Sequence, residues 1–559
     1  MQQKTGLFVR QYGAGMLNTV STRGTSAGHH AVFWNGLPLN SPSLGQIDFS
    51  LLPLAGFDAA HVFMGSAGAN FGTDAIGGST HLETKADFTP GHQVQLENGF
   101  GSFGLWNSSL RYRFAAGGYA QSTTFYRQFT RNDFPFRNLA RRETPVERMP
   151  HGRVEQLGLV HQSSYNLSER DQLSVALWWN SADREIQPVI GSNTRDMQED
   201  NSLRVVVDYF RFAAAGTLNL KAGIVHDENI FNASRNRTRQ HLAAGEWDWK
   251  GNEWLAAKSG LRYTRAIGLL STYEAEEDRL ELYQSFNVTP TPRLGFSINL
   301  RQFWFDGEAA PFTPSLGWNW QLWQGESQKL RLVGTAARSF KVPTLNDRFW
   351  EPGGNRDLLP EESWSLEAGF EHRLERKRWR VEQRLTAYAM WVDNWIVWLP
   401  TGNFWSPSNI REVHNQGLEY QGELQLQLTE RQSLGLRATY NHTVATNVGA
   451  VRENDRTVGN QLPYTPFDKW NAQLTYRIGP LEVGVNQQYV GDRFISLDNV
   501  TRVAAYRLTD FHAAYDWRWK GLSGQVQGRV LNAFDTEYQV LRLRAMPGRN
   551  YTIHFTVNL

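Results

Sequence analysis

The chain contains no cysteine among its 559 residues. That excludes structural disulfides, thiol catalysis and cysteine-ligated zinc. It also has no run of the roughly eighteen apolar residues that a membrane-spanning helix needs, and its mean hydropathy is −0.50. A helical membrane protein is thereby excluded, but a membrane-spanning barrel is not. Lipid-facing and lumen-facing residues alternate along a barrel strand, so their average hydropathy looks soluble. Charge of one sign is missing as well: 57 Lys and Arg stand against 55 Asp and Glu, a formal net charge of +2. With no basic stripe, nucleic acid is not an expected partner. No H-E-x-x-H and no Asp-rich loop spacing occurs, so neither a resident metal nor a cofactor is expected. The opening MQQKTGLFVR carries neither the charged nor the apolar region of a signal peptide.

Aromatic residues and glycine are plentiful. The 21 Trp, 19 Tyr and 31 Phe suit a barrel with aromatic girdles at its two interfaces. Residues 13–85 are glycine-rich and hold GAGMLNTVSTRGTSAG and FGTDAIGGSTHLETK. Everything beyond reads as amphipathic strands. Leu424, Leu426 and Leu428 oppose Gln425 and Gln427. Ala472, Leu474, Tyr476 and Ile478 oppose Asn471, Gln473, Thr475 and Arg477. Alternation of this kind gives one face to hydrocarbon and the other to water.

Strands are expected at 331–338, 363–373, 381–391, 417–428, 433–441, 469–478, 481–490, 507–518, 521–531 and 549–559. Their connections alternate. Short links fall at 374–380, 429–432, 479–480 and 519–520, and long ones at 339–362, 392–416, 442–468, 491–506 and 532–548. Outer-membrane barrels pair short periplasmic turns with long external loops, which places the C-terminus on the periplasmic side. The same strand density from residue 89 onward gives about 20 to 22 strands, and barrels of about 22 are those with a plugged lumen. Trp391, Trp395, Trp517 and Trp519 sit near strand ends, as girdle residues would. Trp391, Trp395, Trp398 and Trp405 could instead form an aromatic surface for a flat ligand.

Two enzyme-like patterns lack their context. Gly24-Thr25-Ser26-Ala27-Gly28 matches G-x-S-x-G, but an apolar run and no helical period follows it. Gly99, Gly101 and Gly104 match G-x-G-x-x-G, yet LRYRF follows as the next strand of a hairpin. His29 and His30 are adjacent and would point to opposite faces of a strand, a poor chelating geometry.

Several blocks together resemble the TonB-dependent outer-membrane receptors. The plug pattern of that family is matched by Arg23-Gly24-Thr25, Asn35-Gly36, Leu39-Asn40, Pro53, Gly65, and Phe71-Gly72-Thr73-Asp74-Ala75-Ile76-Gly77-Gly78 running on to Thr84-Lys85. Its barrel pattern is matched by Ser339-Phe340-Lys341-Val342-Pro343-Thr344-Leu345-Asn346-Asp347, by Gly354-Asn355-Arg356-Asp357-Leu358-Leu359-Pro360-Glu361, and by Asn415-Gln416-Gly417-Leu418-Glu419. The size is most similar to the cobalamin and smaller siderophore receptors. Asn35 stands where many members have Asp, and Leu559 where many barrels end in Phe.

The resemblance implies an all-β transmembrane barrel of about 22 antiparallel strands, residues 89–559, with an N-terminal α+β plug domain, residues 1–88, inside the lumen. It implies a location in the bacterial outer membrane among its lipids. It also implies energy-coupled import of a scarce large ligand, cobalamin or a ferric siderophore, with TonB, ExbB and ExbD as partners and no enzymatic step. Family members carry a signal peptide, a TonB box and an opening plug strand before the segment at Gly6-Leu7-Phe8-Val9, so the plug is expected to be N-terminally truncated. The plug motif residues are Arg23, Gly24, Ala75, Ile76, Gly77 and Gly78. Ligand contacts are expected on plug turns facing outward, at Gly28, His29, Asn40, Ser41, Pro42, Ser43, Leu44 and Gly45. The alternative is a passive porin or adhesin with a remnant plug, and a barrel hydrolase using Ser26 is a third class.

Overall fold

The computed structural model describes residues 6–401, 403–450 and 453–559. Twenty-two long strands close into one antiparallel barrel, in which each strand pairs with its sequence neighbours. Closure comes from the last strand, Asn550–Asn558, pairing with the first, Gly91–Gly101. No helix among the described residues is long and apolar enough to cross a membrane. The strands make the crossing instead.

Alternation decides which way each side chain points. Leu366 and Phe370 are exposed on the outside of Glu361–Arg376, while Glu367 and Glu371, the residue after each, face the lumen. At the rim of short turns, exposed Trp249, Trp320, Trp323, Trp379 and Trp519 form one belt. Trp106, Trp179, Trp364 and Trp391 form the other, toward the long loops. These amphipathic rings mark the two levels where hydrocarbon meets headgroups.

All ten strands drawn from sequence are present, although the link expected at 392–416 is largely strand. Trp379–Thr401 and Phe404–Thr429 stay paired up to Thr401 and Phe404, with register shifts around Trp395. The run Trp395-Ile396-Val397-Trp398 has the β-branched and aromatic character that favours continued pairing. Asn394, with φ 55°, adjoins the register shift and does not end the hairpin. Trp395 is correspondingly not a girdle residue. It is buried with Ile76, Met390, Val392 and Val413.

Inside the barrel lies a small four-stranded sheet. Its order is β4 (Leu37–Pro38), β3 (His30–Trp34), β6 (Gly78–Glu83), β5 (Ala59–Met64), and β3 runs parallel to β6. A separate hairpin, β1 (Phe8–Gln11) and β2 (Asn18–Ser21), precedes it, and a single helical turn, α1 (Gly68–Phe71), links β5 to β6.

The sheet sits to one side of the lumen. Val32, Trp34, Leu37, Leu39, Leu52, Phe57 and Leu82 pack against Tyr126, Val160, Ala176, Trp178, Val206, Val225 and Leu242 of the wall. Trp178 receives Trp34 and Phe57 edge-on, at 5.7 and 5.2 Å between ring centroids. Gly223 leaves the room for Leu37, since a Cβ there would come within 2.2 Å of its side chain. Across the lumen the wall is wet and charged. A cavity of about 840 Å³ is bounded there by Lys329, Arg331, Glu371, Arg373, Glu382 and Arg384. The apolar seam supplies attachment, since each fully buried large side chain is worth about 1.5–3 kcal/mol.

Candidate functional site

Three groups of contacts tie the plug to the barrel and its outer loops. The first is built on Arg23. With φ 51°, it sits in a tight turn after β2 that Gly24 continues at φ 77°. Its side chain reaches the wall, where Nη1 lies 2.7 Å from Glu367 and Nη2 2.8 Å from Glu419. The guanidinium also lies 4.4 Å from the ring centre of Tyr388. Burial by itself depresses the arginine pKa, but the Glu419 and Glu367 carboxylates outweigh it and hold Arg23 above its ordinary value. A planar fork suits two carboxylates in a way that an ammonium does not. Gly24 permits the approach, since a Cβ there would lie 2.4 Å from that of Ala445.

The second group joins the plug to the outer loop that follows Lys341. Thr344 and Asp347 form a capping box that starts the short helix α2 (Leu345–Phe349). Leu345 N donates to Pro42 O at 2.9 Å and Asn346 N to Ser43 O at 3.3 Å, so α2 sits on the plug turn. Trp398 of the long hairpin donates to Asp347 at 2.9 Å. Beneath α2, Ser26 N donates to Nδ1 of His29, which leaves Nε2 to donate to Glu361 at 2.5 Å. The second carboxylate oxygen of Glu361 accepts from Ile396 N at 2.7 Å, and Lys341 Nζ lies 3.3 Å from the oxygen that His29 contacts.

Of the eight residues expected at the plug apex, Leu44 is exposed and Gly28 and Ser41 are half-buried. His29, Asn40, Pro42, Ser43 and Gly45 are buried. Asn40 serves the turn itself: its Oδ1 accepts from Val32 N, and its Nδ2 donates to His30 O and Gly45 O. The two adjacent histidines part company as expected. His29 faces Glu361, and His30 bonds Thr80 at 2.8 Å in a site whose burial, with the nearby His81, pushes its pKa down to about 3. Ala75, Ile76, Gly77 and Gly78 are all buried in the turn that leads into β6. Among the described residues no cluster of three potential metal ligands occurs.

The third group escaped the sequence reading. Between β1 and β2 the chain turns through Gly13, Ala14, Gly15 and Met16, directly under the outer loops. Ala14 N donates to Gln187 at 3.2 Å and Asn132 donates to Ala14 O at 2.9 Å. Ala14 also packs on a cluster of Phe134, Met149, Ile190 and Ala545 with Phe103, Phe136 and Leu543. Above that cluster opens an outer cavity of about 800 Å³, for which Phe103, Phe136, Ile190 and Leu543 supply an apolar floor. The plug thus touches the underside of the outer cavity's floor. The glycine-rich GAGM segment was visible in sequence, but the loops that close over it share no pattern that would have announced the contact.

A family model for "TonB-dependent Receptor Plug Domain" matches residues 1–79, and one for "TonB dependent receptor-like, beta-barrel" matches residues 68–533. The chain belongs to the TonB-dependent receptor family. It is therefore an outer-membrane receptor that works with TonB, and not an enzyme. The receptor is 26% identical over 577 residues to the vitamin B12 transporter BtuB of Photobacterium profundum, covering 99% of this chain and 88% of that one. It is 25% identical over 556 residues to BtuB of Vibrio vulnificus (strain YJ016), covering 95% and 83%. Its fold resembles the FrpB iron transporter from Neisseria meningitidis, with a TM-score of 0.82 at 15% identity over 100% and 96% of the two chains. It also resembles the siderophore receptor PirA from Pseudomonas aeruginosa, with a TM-score of 0.75 at 16% identity over 100% and 95%.

The receptor's fold disposes of the enzyme-like patterns. Gly24 to Gly28 lead through a turn of 3-10 helix into β3, with no strand-to-helix elbow. Gly99 to Gly104 lie at the top of a hairpin formed by Gly91–Gly101 and Leu105–Ala116. The four tryptophans of the long hairpin do not form one surface either. Trp391 faces lipid, Trp395 and Trp398 are engaged by His29 and Asp347, and Trp405 is exposed near the tip.

Proposed function

We propose that the receptor imports cobalamin or a ferric siderophore. Ligand binds on the outer face, and TonB, energised by ExbB and ExbD, pulls on the plug to open a path along the lumen. The moving unit is taken as residues 1–88 and the fixed unit as residues 89–559, held in outer-membrane lipid by its aromatic belts. The observation that carries this reading is the asymmetric seating of the plug. One wall grips it through a continuous apolar seam, while on the opposite side the contacts are fewer, the Arg23 ion pairs and a smaller cluster around Ile76, and the rest of that wall is charged and borders water. A plug attached in this way can be displaced toward the wet side without exposing every contact at once. The names of the B12 transporter and iron or siderophore receptor relatives support the ligand class.

The plug turn at Gly28, His29 and Asn40–Gly45 is proposed to respond to ligand through Leu44 and through the α2 contacts above it. Replacing Ser43 and Leu44 by bulky charged residues tests this, with reduced ligand affinity as the expected result. Unchanged affinity removes the turn from the site. The reading as an importer is tested by saturable uptake that disappears when TonB is deleted. Non-saturable passage that persists without TonB would favour a porin.

A further inference from the structure

We propose that the short turn between the strands Glu361–Arg376 and Trp379–Thr401 holds the phosphate of an anionic phospholipid against the outside of the barrel, in the membrane leaflet on the short-turn side. Lipid binding of this kind is independent of which ligand is imported. The turn reads Arg376-Lys377-Arg378, and none of the barrel's other short turns carries three consecutive cations. All three residues are exposed. The carboxylates beside them in the chain are engaged elsewhere: Glu375 pairs with Arg373 at 2.9 Å, and Glu382 with Arg380 at 2.9 Å. Among the described residues no carboxylate lies within ion-pair distance of Arg376, Lys377 or Arg378.

Strand register fixes where the first cation points. Arg376 lies directly opposite Trp379, and residues paired in this way project from the same face of the sheet. Trp379 is exposed in the aromatic belt at the short-turn rim, so Arg376 stands on the lipid face at headgroup level, its stem along the barrel and its guanidinium toward water. Toward the membrane centre the same face continues with Leu374 and Val381, paired with each other, and with Leu424 on the next strand. An occupant of this place must be anionic at one end and hydrocarbon along its length. A phospholipid has that form, whereas a soluble acidic peptide offers only the charge. The Arg376 fork takes phosphate oxygens through paired hydrogen bonds, and the adjacent Lys377 and Arg378 add positive charge at the same level.

The test is native mass spectrometry of the purified full-length receptor released from detergent. Dioleoyl-phosphatidylglycerol and zwitterionic dioleoyl-phosphatidylethanolamine are titrated separately. The expected result is saturable retention of the anionic lipid and much weaker retention of the zwitterionic one. The variant Arg376→Gln/Lys377→Gln/Arg378→Gln should lose about 100-fold in affinity for phosphatidylglycerol, from roughly fivefold per cation beside an anionic lipid surface. Arg376→Lys/Arg378→Lys should retain part of the affinity, because it keeps the charge and loses the fork. Arg518→Gln/Lys520→Gln, at a different short turn, should leave it unchanged. Native heat-modifiable migration on gels confirms that each variant is folded. Equal retention of the two lipids, an unchanged affinity in the triple variant, or an equal loss in the Arg518/Lys520 variant overturns the proposal. Displacement of the lipid by soluble polyglutamate overturns it as well and assigns the turn to an acidic protein partner.

Discussion

His29 of the plug and Glu361 of the barrel meet at 2.5 Å, both buried, under the outer-loop helix that rests on the plug turn. Glu361 also accepts from Ile396 of the long hairpin and lies beside Lys341. One carboxylate thus joins the plug, the barrel rim and the outer hairpin. Replacing His29 by Leu removes the plug's share and leaves Glu361 with one fewer donor. A hydrogen bond to a charged group of this kind is worth about 1.5–3 kcal/mol. Hydrogen exchange in residues 26–34 should quicken by the corresponding factor in His29→Leu, and undiminished protection would show that the contact carries no weight.

Arg23 should matter more. Arg23→Met leaves Glu367 and Glu419 facing each other without their shared cation, a loss of the kind that costs about 3–5 kcal/mol. Release of the plug by urea, followed as channel conductance in planar bilayers, should occur at a clearly lower urea concentration. Arg23→Lys should recover only part of the difference, because an ammonium cannot serve two carboxylates as a planar fork does.

His30 makes plug stability depend on pH. Burial, aided by His81, lowers its pKa from 6.5 to about 3, so the folded plug holds it neutral. An unfolded plug binds that proton below about 6.5, so stability is full above that value and declines as pH falls toward 3. By about pH 4 the loss amounts to roughly 3 kcal/mol. His81, lowered to about 4 by burial, although Glu83 opposes the shift, acts in the same direction. Exchange rates of β3 and β6 amides, corrected for intrinsic pH effects, should rise on acidification in the native protein and much less in His30→Gln. An equal rise in both would assign the effect elsewhere.

Gly223 is where the barrel wall admits Leu37. Gly223→Val should push the plug off that wall while leaving the strand intact, because valine favours extended pairing. Overpacking of this kind costs about 1–3 kcal/mol. The expected observation is normal barrel assembly with raised protease access to residues 30–40, and unaltered access would contradict the seam described above.

On the outer surface, Leu366 faces lipid between the two aromatic belts. Leu366 lies two residues from Trp364 of the outer belt, so Leu366→Arg should destabilise the inserted barrel by only about 1 kcal/mol, less than an arginine at the midplane would. Leu366→Phe should be close to neutral. Refolding titrations into lipid vesicles measure both.

The barrel was readable because its rule is local. Leu424, Leu426 and Leu428 alternate with glutamines, and any strand that does so must separate hydrocarbon from water. The long hairpin was misjudged because whether strands continue above the membrane is set by pairing across the hairpin, not by lipid. The plug motifs were readable as glycines that tight approaches require, as at Gly24 beside Ala445. Partners were not. Nothing in the sequence around Arg23 names Glu367 and Glu419, hundreds of residues away, and nothing around Ala14 names Gln187 or Asn132. Such contacts depend on how the sheet closes and on which loops fold inward, information spread over the whole chain.

Energy-coupled import is measured by uptake of radiolabelled ligand into cells that lack their own receptors and express this chain behind an export signal. Cobalamin and ferric siderophores are supplied in parallel, with TonB present or deleted. Saturable uptake of one ligand class, abolished without TonB, is the expected result. Uptake that persists in the deletion strain, or that never saturates, would contradict it.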